Sequence, residues 1–170
     1  MKRALLVIAQ NGYQDKELAG TQNALLQAGF EVTIASKEEG VCIGKFGGTE
    51  EALLAMRDVD PVAYDILAFI GGPGAHALRD DPEAQLLATT RADSGKVLGA
   101  ICIAPMILAA AGILRGKNAT SWDDGEGTQQ KFLIEKGATY TGEPVTVDGL
   151  IVTANGPDAA EEFGRTLASL

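Results

Sequence analysis

Short apolar runs alternate with helical stretches along the chain. Residues 3–9, RALLVIA, read as a buried β-strand. Residues 15–28 carry Leu18, Leu25 and Leu26 at helical spacing and stop at Gly29. FEVTIAS, residues 30–36, alternates as a strand, whereas residues 40–57, with Gly44, Gly47 and Gly48, read as an irregular excursion or hairpin. DILAFI, residues 65–70, is a strand that runs into GGPGA. Asp81-Pro82-Glu83 opens a helix, with an N-cap, a proline at the first helical position and an acid in the first turn. VLGAI is the next strand, and residues 105–111 form a short helix stopped by Gly112. NATS (118–121) reads as a strand and residues 128–136 as a helix ended by Gly137. PVTVDGLIVTA reads as a hairpin about Asp148-Gly149, and the last fifteen residues as a helix with Pro157 at its first position. This alternation predicts one α/β domain over residues 1–170, a sandwich about a mostly parallel sheet with ligands at the carboxyl ends of the strands.

One segment invites a different reading. Residues 97–114 hold no charge over eighteen positions, the lower limit for a membrane helix. Gly99, Pro105 and Gly112 divide the run into strand, turn and helix, so no membrane association is expected. The net charge of −9 argues against nucleic acid, whose phosphates favour a basic face. The N-terminal apolar stretch is short for a signal peptide and lacks a cleavage site, so a reducing, cytoplasmic setting with free thiols is expected.

Within this frame few residues carry chemistry. Cys102 stands at the end of VLGAI and just before a helix, flanked two positions away by Ala100 and Ala104. Small residues at those positions suit a strand-to-helix nucleophile elbow, and a helix N-terminus would lower the thiol's pKa. The same residue also fits a small buried hydrophobe. The lone histidine, His76, follows the glycine loop and could pair with the thiol or simply sit half-exposed. Tyr13, Asp15 and Glu17 follow the first strand and would open onto the same edge; an acid there, raised by burial, could exchange a proton with Cys102. Gly71 and Gly72 offer bare backbone N–H groups. The run from Gly72 to Ala77 fits G-x-G-x-x-A, but it comes mid-chain with no acid at the end of the next strand, which disfavours a dinucleotide. Cys42 reads as structural, and Asp123, Asp124 and Glu126 as a solvated loop. No cluster suggests a metal, and no cofactor is implied.

The segments KRALLVIAQNGYQDKEL, FIGGPGA, GAICIAPMILAAAGILRGKNATS and DGLIVTANGPDAAEEF, in this order, resemble the ThiJ/PfpI superfamily. The resemblance implies a flavodoxin-like three-layer sandwich and a homodimer or higher homo-oligomer. It places Cys102 on the reactive cysteine and Glu17 on the active-site glutamate. It assigns the backbone N–H groups of Gly72 and Ile103 to an oxyanion-hole-like site. Two positions depart from it. The protease-like branch carries histidine directly after the cysteine, where this chain has Ile103; the deglycase branch carries histidine where this chain has Trp122. The expectation is therefore a cysteine–glutamate enzyme acting on small aldehydes such as methylglyoxal or its glycation adducts. Redox sensing through the same thiol is an alternative, and a peptidase using His76 is a further one.

Overall fold

A computed structural model describes residues 1–170. Strand β1 (Lys2–Val7) and the short β2 (Asn11–Tyr13) lead into helix α1 (Asp15–Gln27). Strand β3 (Phe30–Ser36) is followed by β4 (Gly40–Gly44), β5 (Thr49–Ala52) and β6 (Leu54–Ala55). Strand β7 (Ile66–Phe69) passes through α2 (Ala75–Arg79) and α3 (Pro82–Asp93) to β8 (Val97–Ile101) and α4 (Pro105–Ala110). Strand β9 (Asn118–Ala119), α5 (Thr128–Glu135) and β10 (Thr139–Tyr140) precede the hairpin of β11 (Val145–Asp148) and β12 (Ile151–Ala154), and α6 (Ala160–Ser169) closes the chain.

The main sheet has the order β11-β12-β8-β7-β1-β3-β6, and β11 alone is antiparallel. From β3 to β12 this is the flavodoxin-like order, in which the chain changes direction across the sheet beside β1. Every residue of β7 and β8 is buried, because helices cover both faces. Helices α1 and α6 pack on each other on one face, while α2, α3, α4 and α5 form the other layer. The closeness of α1 to α6 depends on missing side chains. A Cβ on Gly20 would lie 2.8 Å from that of Ala160, and one on Gly164 would lie 2.7 Å from that of Ala24. No helix is long and apolar enough to cross a membrane; residues 97–114 divide into β8, a turn and α4.

Several boundaries differ from the sequence reading. Strand β1 ends at Val7 rather than at residue 9: the Ile8 N–H still donates to Ala35 O at 3.0 Å, but the Ile8 carbonyl accepts from the Ser36 hydroxyl at 2.7 Å instead of a backbone N–H. The excursion over residues 40–57 is the antiparallel pair β4–β5 plus β6, with β2 added beside β4. The NATS segment does not enter the main sheet; Asn118 and Ala119 pair with Thr139 and Tyr140 in a separate two-stranded ribbon. Pro157 opens a 3₁₀ turn, Pro157–Ala159, and the α-helix starts only at Ala160.

Candidate active site

Three loops at the carboxyl ends of neighbouring strands β1, β7 and β8 converge on one point. Glu17 comes from the first turn of α1. Gln14 caps that helix, its Oε1 accepting from the N–H groups of Lys16 at 2.7 Å and Glu17 at 3.2 Å. Asp15 points elsewhere, accepting from the backbone of Phe46 and Gly48 at 2.9 Å each, so it anchors the β4–β5 turn. Tyr13 is buried beside that turn. Of the three candidates on this segment, Glu17 is the one turned to the cysteine.

After β7, Gly71 donates its N–H to Glu17 Oε1 at 3.0 Å, and its carbonyl accepts from Gln14 N at 2.9 Å. A side chain at Gly71 is excluded, since its Cβ would lie 2.6 Å from Cys102 Cβ and 2.7 Å from Glu17 Oε1. Gly72 takes φ +104°, and a Cβ there would meet Gly12 O at 2.4 Å. The N–H groups of Gly74, Ala75 and His76 bond to protein carbonyls within the glycine loop or across to Gly12. They are thus engaged within the protein and not free to cradle a pyrophosphate.

Cys102 is the one non-glycine residue at positive φ, +66°. Such a backbone costs on the order of 1–2 kcal/mol for an L-residue, and the fold enforces it from both sides. Cys102 N donates to Ala154 O of β12 at 2.8 Å, and Cys102 O accepts from Trp122 N at 2.9 Å. This is the elbow expected from the sequence. The backbone N–H groups of Gly72 and Ile103 act on the sulfur so as to favour its charged form.

The electrostatics correct one expectation. Helix α4 begins at Pro105, beyond two intervening residues, and the thiol is raised rather than lowered. Cys102 is 5 % exposed. Burial, and after it the charge of Glu17 and its hydrogen bond, push the thiol above its usual range, with the two N–H groups acting in the opposite sense. Glu17 is fully buried. Desolvation lifts its carboxyl to about 7, against a downward pull from the Cys102 hydrogen bond, the Gly71 N–H and, more weakly, Lys45. Oε2 of Glu17 has no nitrogen or oxygen partner.

The sulfur opens into a cleft of about 230 Å³. His76 and Trp122 both line it. His76 is exposed on α2 and forms no hydrogen bond with Cys102 or Glu17. Trp122 lies against Gly156, where a Cβ would come within 2.7 Å of the indole. Sequence reasoning missed Gln14, Lys45 and Gln129 on the cleft wall. Gln14 carried a readable signal, a polar residue directly before the helix, but Lys45 and Gln129 are far from Cys102 in sequence and only the fold brings them in.

The profile of the DJ-1/PfpI family matches residues 2–170. The chain belongs to the DJ-1/PfpI family. Among family relatives, a protein named deglycase from Pyrococcus abyssi is 33% identical over 170 residues, 98% of each chain. A glutathione-independent glyoxalase of Caenorhabditis elegans is 30% identical over 163 residues, 95% of this chain and 84% of that one. The crystal structure of a ThiJ/PfpI domain protein from Brachyspira murdochii superposes with a TM-score of 0.93 at 31% identity, covering 98% of this chain and 94% of the other. The α/β architecture is thus that of the DJ-1/PfpI fold.

Proposed function

We propose that Cys102 and Glu17 convert small 2-oxoaldehydes, such as methylglyoxal, into 2-hydroxy acids. The observation that carries this reading is the buried Cys102–Glu17 pair, with a carboxyl near neutrality and two backbone N–H groups turned to the sulfur. The names of the relatives, deglycase and glyoxalase, support the same class of chemistry. The pair shares its protons, so its reactive form is the one that has lost a single proton. Glu17 as carboxylate accepts the thiol proton while sulfur bonds to the aldehyde carbon, C1, and the carbonyl electron pair moves onto oxygen. The N–H groups of Gly72 and Ile103 hold that oxyanion, and Glu17 returns the proton to it, giving a hemithioacetal. Glu17 then removes the C1 proton, the electron pair moves through a C1=C2 enediol onto the C2 oxygen, and that oxygen takes a proton; the C1 hydroxyl then gives up its proton as the C1 carbonyl re-forms and C2 is protonated, leaving a 2-hydroxy thioester. Water cleaves the thioester, releasing the 2-hydroxy acid and the free thiol. C1 is oxidised and C2 reduced within one molecule, so the net reaction is 2-oxoaldehyde plus water and needs no external oxidant.

Such chemistry needs no imidazole bonded to the sulfur, and none is present. The peptidase reading through His76 lacks that contact. The assay is the loss of methylglyoxal with native protein and with Cys102→Ala; equal rates in the two would end the proposal. Oxidation of Cys102 to a sulfinic acid is a second reading, favoured by Glu17 Oε2, which has no nitrogen or oxygen partner and as an acid would donate to an added oxygen. Intact-mass analysis after mild peroxide tests it, and equal oxidation of Cys102 and Cys42 would count against it. A homodimer, supported by the sequence resemblance alone, completes the proposal; sedimentation of the purified chain tests it.

A further inference from the structure

The cleft has one lysine on its wall. Lys45 stands in the turn between β4 and β5 and lines the cavity into which the sulfur opens. The fold shapes that turn without help from a ligand. Lys45 N donates to Tyr13 O at 2.8 Å and Gly44 N to Gly48 O at 2.7 Å, while Asp15, from the first turn of α1, accepts from the N–H groups of Phe46 and Gly48. The Lys45 ammonium pairs with no carboxylate, although the chain has 23 acidic residues. It rests 5.3 Å from the ring centroid of Phe46, itself 70% exposed. The one carboxylate on the cleft wall, Asp124, is committed elsewhere: its Oδ1 accepts from the N–H groups of Glu126 at 2.9 Å and Thr128 at 3.3 Å. His76 is the other basic side chain on the wall. The charge of Lys45 reaches the reacting pair. Against the dominant desolvation of Glu17 it acts, with Cys102 and the Gly71 N–H, to pull that carboxyl down.

We infer that Lys45 is the specificity-determining residue of this cleft, its ammonium receiving a carboxylate of the ligand while the aldehyde carbon lies at Cys102. The inference deepens the aldehyde reading above by naming the preferred substrates, small carbonyl compounds that carry a carboxylate, and rests on it in taking Cys102 as the reacting sulfur. An ammonium brings three donors and a full charge, which a neutral aldehyde leaves unused. The net charge of −9 repels anions from the molecule as a whole. Inside a cleft, low-dielectric walls strengthen a single local charge against that background. The flexible four-carbon stem lets the ammonium follow ligands of different length. The reaction proposed above also ends in a carboxylate, so the same group meets the charge that thioester hydrolysis creates.

The test alkylates Cys102 with iodoacetate and with iodoacetamide, which react alike and differ in charge. In each case sulfur bonds to the methylene carbon as iodide leaves, and the thiol proton passes to Glu17 or to buffer. Both rates scale with the same thiolate fraction, so their ratio cancels it and reads the field on the reagent. The ratio is followed by peptide mass at Cys102 in native protein, Lys45→Gln, Lys45→Arg and His76→Gln, with 2-mercaptoethanol as the neutral comparison thiol. The native iodoacetate-to-iodoacetamide ratio is expected to exceed that of 2-mercaptoethanol by about three- to tenfold at low salt, and to fall toward it in about 0.5 M salt. Lys45→Gln removes the excess and Lys45→Arg keeps it. A native ratio equal to that of 2-mercaptoethanol overturns the inference. An unchanged ratio in Lys45→Gln overturns it too, even if both rates fall together, since Lys45 would then act through the thiol's protonation. Loss of the excess in Lys45→Arg as well, or in His76→Gln alone, overturns it by assigning the effect to packing or to the imidazole. The substrate class is read with glyoxylate, which carries a carboxylate where methylglyoxal carries an acetyl group. Its aldehyde adds to the sulfur, the thiol proton ends on the carbonyl oxygen, and no ketone is present to carry the adduct further. Glyoxylate is expected to inhibit methylglyoxal turnover about three- to tenfold more weakly in Lys45→Gln than in native protein; equal inhibition overturns the inference. Absence of methylglyoxal turnover by native protein overturns the parent reading without touching the alkylation ratio, so the two failures are told apart.

Discussion

The chain has two cysteines, and by the usual criteria they look alike. Cys42 and Cys102 are both buried, at 0% and 5% exposure, and burial is the leading cause that pushes both thiols upward. Neither exposure nor the direction of the shift separates them. Their backbones do. Cys42 lies mid-strand in β4, pairs with Glu50 of β5, and meets Gln10 Nε2 at 3.5 Å. Cys102 occupies a left-handed turn where three strand ends meet, with a carboxyl and two N–H groups around its sulfur. A thiol's fitness for chemistry here follows from which groups converge on it, and convergence is a property of the sheet's carboxyl edge.

The largest expected effect removes one sulfur or the other. Cys102→Ala is expected to abolish methylglyoxal turnover, whereas Cys42→Ala keeps kcat/KM within about twofold and costs on the order of 1 kcal/mol of stability, read by urea denaturation. Loss of activity in Cys42→Ala would erase the distinction. Next comes the carboxyl that Cys42 lacks. Glu17→Gln preserves the acceptor for Gly71 N–H but removes the proton shuttle, and turnover is expected to fall about 10²–10⁴-fold. In native protein the kcat/KM profile should rise with pH through about 7, as the pair loses its first proton, and that limb should be absent from Glu17→Gln.

A smaller effect concerns stability. The folded Glu17 carboxyl titrates at about 7, above its ordinary 4.5. The native state therefore holds this proton more tightly than the unfolded chain. Its stabilising contribution is complete below about 4.5 and is lost as pH rises through 7, by about 3 kcal/mol. Thermal denaturation should show Glu17→Gln gaining on native protein between pH 4.5 and 8. A constant gap would mean that the carboxyl titrates normally.

The smallest effect is also the most selective. At Cys102 the left-handed backbone favours glycine, so Cys102→Gly should be more stable than Cys102→Ala by about 1 kcal/mol. At Cys42, in a regular strand, the order should reverse by about 0.5–1 kcal/mol. The same order at both positions would remove backbone strain from the distinction.

Much of the frame was legible because it rests on local rules. The buried runs of β7 and β8, the Asp81 cap with Pro82 behind it, and the turn at Gly149 all follow from short-range patterns. The elbow was legible too, since Ala100 and Ala104 flank Cys102 in a strand-to-helix passage. The NATS segment was legible as a strand, but two residues cannot announce which ladder they will join, and only the fold pairs them with Thr139 and Tyr140. The expected lowering of the thiol failed because it weighed a helix end and not burial.

By itself the sequence determined the alternation of strands and helices, the small alanines two positions either side of Cys102, and the order in which chemical groups leave the strands. Only the tertiary structure decided that Glu17, and not Asp15, faces the sulfur, since the β4–β5 turn takes Asp15 for its own N–H groups. It also decided that the thiol sits above its usual range, and that Gln129 joins the cleft from 27 residues away. Desolvation and proximity depend on what packs around a group, and a linear pattern of apolar and polar positions carries neither.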